Sequence, residues 1–555
     1  MSRHAYALTC PEPLAAAAGE LIFARGGNAM DAAVAAAFAQ AVVNPLMCGL
    51  GGDAFFCVYD PRTRETVMIE APVTIGSLAT PSVFEPLARG RAERVGRFLV
   101  EGDINQMGYG SIMVPGFVRG LGEGFRRHGS GRVTWQEVVA PAARLAGDGY
   151  AVDHVAARAW RSREPGPGVP DVFTKLHTTP EARQVYLKPD GGGYRVGDRI
   201  TLPDLARTLE RIGERGASEF YEGETGRRIA RDMEANGGLF TWDDLRGYRV
   251  RERPPVWGSY RGLTLASCPP PGAGPTVIEM LRILEHSDQA ALHWNGPAYL
   301  DLVARVLAAA FGDAAVWQGD PAVVEVPLEP WISREHAAEQ YARILREMPG
   351  GAETPRAASA DDSRGIPKGG MGRGTTHITA VDEDLLIVSL NTSTGSTGSS
   401  GVVTPGLGFL YNNFLGQFDP VPGRRQSIAP GKGSGGASST IFFRDGRPVL
   451  ATGAAGGSRL ISAIVQSVVN MVDHGMTPAE AVAVPRIHAE EAGILFAEPG
   501  LDEVTAEALA ARGWEVRTST YMGRIAAVGI DPDARVLYPA SDPRGGRGVA
   551  AGPPR

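Results

Sequence analysis

The chain is poor in cysteine: only Cys10, Cys48, Cys57 and Cys268 occur in 555 residues. That excludes a disulfide-stapled scaffold. No two of them have CxxC spacing and none falls in a Cys/His cluster, so a zinc module is excluded as well. Runs of about 18 apolar residues are absent, which leaves no candidate membrane-spanning helix. The opening MSRHAYALTCPEP has no apolar stretch long enough for a signal-peptide core, and the expectation is a cytoplasmic protein. Charge of one sign is lacking too. A net charge of -7 gives no basic footprint for nucleic acid. No glycine cluster follows a P-loop or dinucleotide fingerprint, and no GxSxG nucleophile elbow is present.

What is plentiful is glycine and proline, 72 and 41 residues. They imply many turns and close backbone approaches rather than long helical arrays. Residues 13–43 read as two helices separated by Gly26-Gly27-Asn28, with Asp31 favouring the start of the second. Gly49 to Gly52 makes a tight turn before strands at Ala54–Tyr59 and Thr66–Ile69. Apolar spacing of three and four predicts helices over Trp135–Ala146, Leu202–Ile212 and Glu224–Asn236, then Thr276–His286 and Ala298–Phe311.

Residues 349–374 are dominated by Gly, Pro, Ser, Ala and charge, and read as a flexible linker. Directly after it the pattern becomes strand-like: Thr375–Val381, Leu385–Leu390, Thr440–Phe443, Val449–Thr452 and Arg524–Ile530. Helices are expected near Ser458–His474, Pro478–Val484 and Leu501–Arg512. Helices first, then short strands with covering helices, suggest an α+β or layered αββα architecture.

The junction Gly374-Thr375 carries the chemistry. A Thr exposed as an N-terminus holds a hydroxyl nucleophile and its own base, because the α-amine can take the hydroxyl proton. That amine titrates near ~7.7–8.0, so part of it is neutral at physiological pH. An internal Thr has no such amine, and processing must create it. His377, alternating on the same strand, reads as a structural histidine rather than a catalytic one.

From about residue 6 to 548 the chain resembles the γ-glutamyltranspeptidase family. The matching motifs run in order: Arg25 to Ala33, Gly49 to Gly52, Val114-Pro115-Gly116, Trp135 to Ala146, Asn236 to Leu239, Pro269 to Gly274 and Gly319-Asp320-Pro321. Thr375-Thr376-His377, Gly456 to Arg459, Pro485-Arg486 and Ser541 to Arg544 complete them. The resemblance implies an N-terminal nucleophile hydrolase fold, a four-layer αββα sandwich. It implies a proenzyme cut between Gly374 and Thr375, giving a large fragment 1–374 and a small catalytic fragment 375–555. They would stay together as a heterodimer or a dimer of heterodimers. Thr375 would take an acyl group from a small-molecule amide and pass it to water or an amine acceptor. No metal or other cofactor is implied, and neither nucleic acid nor membrane is an expected partner.

By the same resemblance Gly456 and Gly457 supply oxyanion-hole N–H groups, and Ser389 positions the nucleophile's hydroxyl. Asn391 would contact the acyl head group. The last two assignments require a gap at Glu383–Leu386. Three positions depart from the family pattern. Met68 stands where an Arg binds the α-carboxylate, Gln417 where an Asp binds the α-ammonium, and Gly435-Gly436 where paired serines sit. A Met cannot form the charge-assisted fork to a carboxylate, and Gln brings no charge. The preferred donor is therefore expected not to be γ-glutamyl, and a glutaryl anilide is expected to turn over faster than a γ-glutamyl one. A basic residue from a rearranged loop, such as Arg62, Arg91, Arg94 or Arg97, is the alternative carboxylate partner. The competing classes are an acylase or C–C hydrolase in a biosynthetic or catabolic pathway, and a non-catalytic binding homologue.

Overall fold

The computed structural model describes residues 5–91, 98–161, 170–289, 291–348 and 374–552. All of the expected linker except Gly374 lies outside them, as do Arg94, Arg97 and the side chain of Arg91.

Thirteen strands build two stacked antiparallel sheets. In chain order they are β1 (Tyr6–Cys10), β2 (Asp53–Asp60), β3 (Glu65–Ala71), β4 (Arg251–Arg253), β5 (Val256–Tyr260), β6 (Leu263–Ser267) and β7 (Gly374–Val381). There follow β8 (Ile387–Gly395), β9 (Thr440–Arg444), β10 (Arg447–Ala455), β11 (Arg524–Asp531), β12 (Val536–Ser541) and β13 (Gly548–Gly552). The first sheet has the order β13-β1-β7-β8-β2-β3-β4 and the second β12-β11-β10-β9-β6-β5.

Alternation along the strands explains the layering. On β2, Phe56 and Val58 face outward into a core with the helices, while Phe55, Cys57 and Tyr59 face the second sheet. Phe443, Ala451 and Val528 answer them from the other side, and Phe442, Leu450 and Ala527 turn outward. Helices α1 (Pro13–Ala24) and α2 (Ala29–Val43) cover the first sheet, and α3 (Trp135–Asp148) packs on them from outside. Helices α4 (Gly274–Glu285) and α6 (Arg459–Val472) cover the second, with α5 (Pro297–Trp317) packed against α4. The result is the four-layer αββα arrangement expected.

Local chemistry sets the element ends. Asn28 caps α2: its side chain accepts from the Met30 and Asp31 N–H groups while Asp31 accepts from Asn28 N–H, a reciprocal capping box. Thr134 and Glu137 do the same for α3. Strand β8 continues well past the expected Leu390, because Asn391 to Gly395 is polar in sequence but buried between neighbouring strands. Among the described residues, no helix is long and apolar enough to cross a membrane.

Candidate active site

Thr375 opens β7 in the middle of the first sheet, with β1 on one side and β8 on the other. It lines a pocket of about 390 Å³, counting the part open to solvent. Asp53 and Phe55 from β2 and Asn391, Ser393 and Gly395 from β8 form one side. Phe414 and Gln417 come from a single 3₁₀ turn, Gly435 to Ala437 from the approach to β9, and Gly457 and Leu460 from the start of α6.

The residue against the Thr375 hydroxyl is Ser393, at 3.1 Å between the two oxygens. Ser393 Oγ also donates a short hydrogen bond to the Gly374 carbonyl and accepts from Gly395 N–H at 3.1 Å. One hydroxyl thus touches both the Thr375 hydroxyl and the carbonyl of the peptide bond in front of it. Arg524 donates to the Thr375 carbonyl at 3.2 Å. A side chain at Gly374 would bring its Cβ to 2.7 Å from the Gly395 carbonyl oxygen, so only glycine fits before Thr375.

The expected role of Ser389 is thereby corrected. Ser389 pairs with Thr379, four residues along β7 from Thr375. Its hydroxyl donates to the Thr452 carbonyl at 3.0 Å and lies 3.2 Å from His377 Nε2. Ser393, which pairs with Thr375 across β7 and β8, is the hydroxyl within hydrogen-bond distance of Thr375 Oγ. Asn391 lines the pocket, but its amide is committed. Its Oδ1 accepts from Ser438 N–H at 2.9 Å and from the Ser438 and Ser439 hydroxyls, and its Nδ2 donates to the Ala454 carbonyl at 2.9 Å. It fastens the loop before β9. Ser438 and Ser439 face this amide and do not line the pocket.

His377 is fully buried between the sheets, and burial pushes its ring down to about 3, so it is neutral. A Cβ on Gly453 would sit 2.2 Å from its Cε1, a packing contact that explains both residues. Met68 is also corrected. It is fully buried on the inner face of β3, opposite Cys57, in the core between the sheets. It does not line the pocket. Gln417, Gly435 and Gly436 do line it. A Cβ at Gly435 would lie 2.3 Å from the Pro271 carbonyl oxygen, so no serine fits there without moving that loop. Arg62 forks onto Asp60 at the hairpin beyond β2.

Gly456 and Gly457 adopt φ of 141° and 62°, in the region that favours glycine. They join β10 to the N-terminus of α6, where helix N–H groups and the helix dipole favour developing negative charge. Asp53 was missed from the sequence. It is 3% exposed, accepts from the Ser434 hydroxyl at 3.2 Å, and burial raises its carboxyl well above the ordinary range. The one sequence signal was an acidic residue heading the apolar run Ala54–Tyr59.

The two serines can be separated by experiment. Ser393→Ala should slow chain cleavage and anilide turnover by about 10²-fold, the usual scale for losing one hydrogen bond to a reacting oxygen. Ser389→Ala should change them by less than roughly threefold on the same scale. Equal losses from both would remove Ser393 from this role.

A family model described as gamma-glutamyltranspeptidase matches residues 15–552. The acylase ACY 1 proenzyme of Pseudomonas sp. (strain V22) is 34% identical over 527 residues, covering 94% of this chain and 89% of that protein. The glutathione hydrolase proenzyme of Bacillus subtilis (strain 168) is 29% identical over 529 residues, covering 94% of this chain and 86% of that protein. The crystal structure of cephalosporin acylase from Bacillus halodurans is similar with a TM-score of 0.85 and 26% identity, over 99% of this chain and 96% of that one.

Proposed function

Because the chain belongs to the gamma-glutamyltranspeptidase family, whose members are hydrolases and acyltransferases with an N-terminal nucleophile, we propose that it cuts itself before Thr375 and then works through an acyl-Thr375 ester. The observation that carries this reading is the contact of Ser393 with both Thr375 Oγ and the Gly374 carbonyl. In the uncut chain, Thr375 Oγ attacks that carbonyl and the proton passes to the Thr375 nitrogen as the C–N bond breaks. Water hydrolyses the resulting ester, leaving a Gly374 carboxylate and a free Thr375 amine. In turnover that amine takes the hydroxyl proton as Oγ attacks a substrate amide. The oxyanion is met by N–H groups at Gly456-Gly457, and the departing amine carries the proton away. Water or an acceptor amine then releases the acyl group.

The donor is an acyl group other than γ-glutamyl. Phe55, Phe414 and Leu460 give the pocket an apolar wall, and none of its described lining residues is cationic. A zwitterionic head group would leave its carboxylate desolvated without a partner. This favours an acylase over a glutathione-type hydrolase. Anilide hydrolysis tests it: pentanoyl-p-nitroanilide should exceed γ-glutamyl-p-nitroanilide in kcat/KM. Preference for the γ-glutamyl compound would overturn this substrate reading.

A further inference from the structure

Three residues lie in one cross-strand row. Thr375 on β7 pairs with Ser393 on β8, and Ser393 pairs with Asp53 on β2. Directly paired residues project to the same face of a sheet, and all three line the pocket. Strands lie about 4.8 Å apart, so Asp53 stands about 10 Å from Thr375 across the sheet. A short acyl chain on the Thr375 oxygen, lying across Ser393 and ending in one hydrogen bond, spans that interval.

We propose that Asp53 is the specificity residue of the acyl pocket, selecting donors whose acyl chain ends in an ammonium group over those that end in a carboxylate. This rests on the acyl-Thr375 reading above. Asp53 is the acidic side chain among the described lining residues, and Gln417 across the pocket is neutral. The apolar wall of Phe55, Phe414 and Leu460 lowers the local dielectric, which magnifies both attraction of an ammonium and repulsion of a second carboxylate. Burial by itself favours the protonated acid. An ammonium entering the site compensates the ionised form. The glutaryl donor expected from the sequence falls into the disfavoured class on this geometry, since its terminal carboxylate would meet Asp53.

Three p-nitroanilides of matched length test the inference on the wild-type processed enzyme: 4-aminobutyryl, pentanoyl and glutaryl, with spontaneous release subtracted. The 4-aminobutyryl compound should exceed the glutaryl one at least tenfold in kcat/KM, with pentanoyl between them. Asp53→Asn, which keeps the size and an acceptor for Ser434, should shrink that ratio to threefold or less. A wild-type enzyme that prefers glutaryl, or an Asp53→Asn enzyme that keeps the full ratio, overturns the role of Asp53 while leaving the acyl-enzyme standing. Should this variant fail to fold, the wild-type ranking decides by itself. A wild-type chain that stays uncut and turns over none of the three overturns the acyl-enzyme reading and this inference together.

Discussion

A Thr375→Ala protein should remain one chain under denaturing conditions, where the wild type separates into fragments 1–374 and 375–555. Intact mass spectrometry reads both. The same substitution should lower anilide turnover by at least about 10⁴-fold, since a lost nucleophile is not replaced by the groups around it. The expected effect is large because, on the proposed mechanism, one hydroxyl serves twice, first on the Gly374 carbonyl and then on the substrate. An alanine at 375 fills the same strand position in β7, so folding should survive. An uncut wild type without acyl transfer would reduce Thr375 to a strand residue and favour a binding protein.

Asp542→Ala should be the most damaging change to stability. Asp542 and Arg486 are each 1% exposed and joined by a short ion pair. Arg544 adds a 3.0 Å contact to the same carboxylate and reaches Glu498 as well. Ile525 N–H donates to it at 3.1 Å. Removing the carboxylate strands a buried guanidinium, which costs about 3–5 kcal/mol. A lowered urea midpoint, measured in the uncut Thr375→Ala chain so that unfolding stays unimolecular, checks this. Burial alone would raise the Asp542 carboxyl, but Arg486 and Arg544 hold it below the ordinary value. Its stabilisation is therefore complete above about pH 4 and lost as pH falls through the depressed value. The gap between wild type and Asp542→Ala should narrow in acid. A gap independent of pH, or a midpoint unchanged by the substitution, would remove the ionic network from the account.

Much of the fold was readable because periodicity and burial agree. The break at Gly26-Gly27-Asn28, the helix over residues 135–148 and the strands flanking Asp60 all follow from side-chain spacing. Strands Tyr6–Cys10 and Gly548–Gly552 gave no such signal, being short and held by long-range pairing with each other. The site was half legible. Thr375, Gly457, Gln417, Gly435 and Gly436 converge on one pocket. Ser393 gave no signal because the polar run Asn391 to Gly395 hides the end of β8. Met68 occupies the expected place in sequence but points into the space between the sheets, which only the register of β3 against β2 reveals. The family-like motifs around Arg486 and Asp542 form a buried ionic knot outside the described pocket lining.

Strands β7 and β8 lie inside the first sheet, between β1 and β2, while β5 and β6 complete the second beside β9. A break before Thr375 therefore leaves no fragment with a whole sheet of its own. Folding before the break is a search by one molecule, and its speed does not depend on concentration. Refolding after it is an encounter of two, governed by mass action. Self-cleavage would turn a structure that can be regained after unfolding into one whose recovery falls with dilution, so the mature protein's endurance would rest on slow unfolding rather than on ready return.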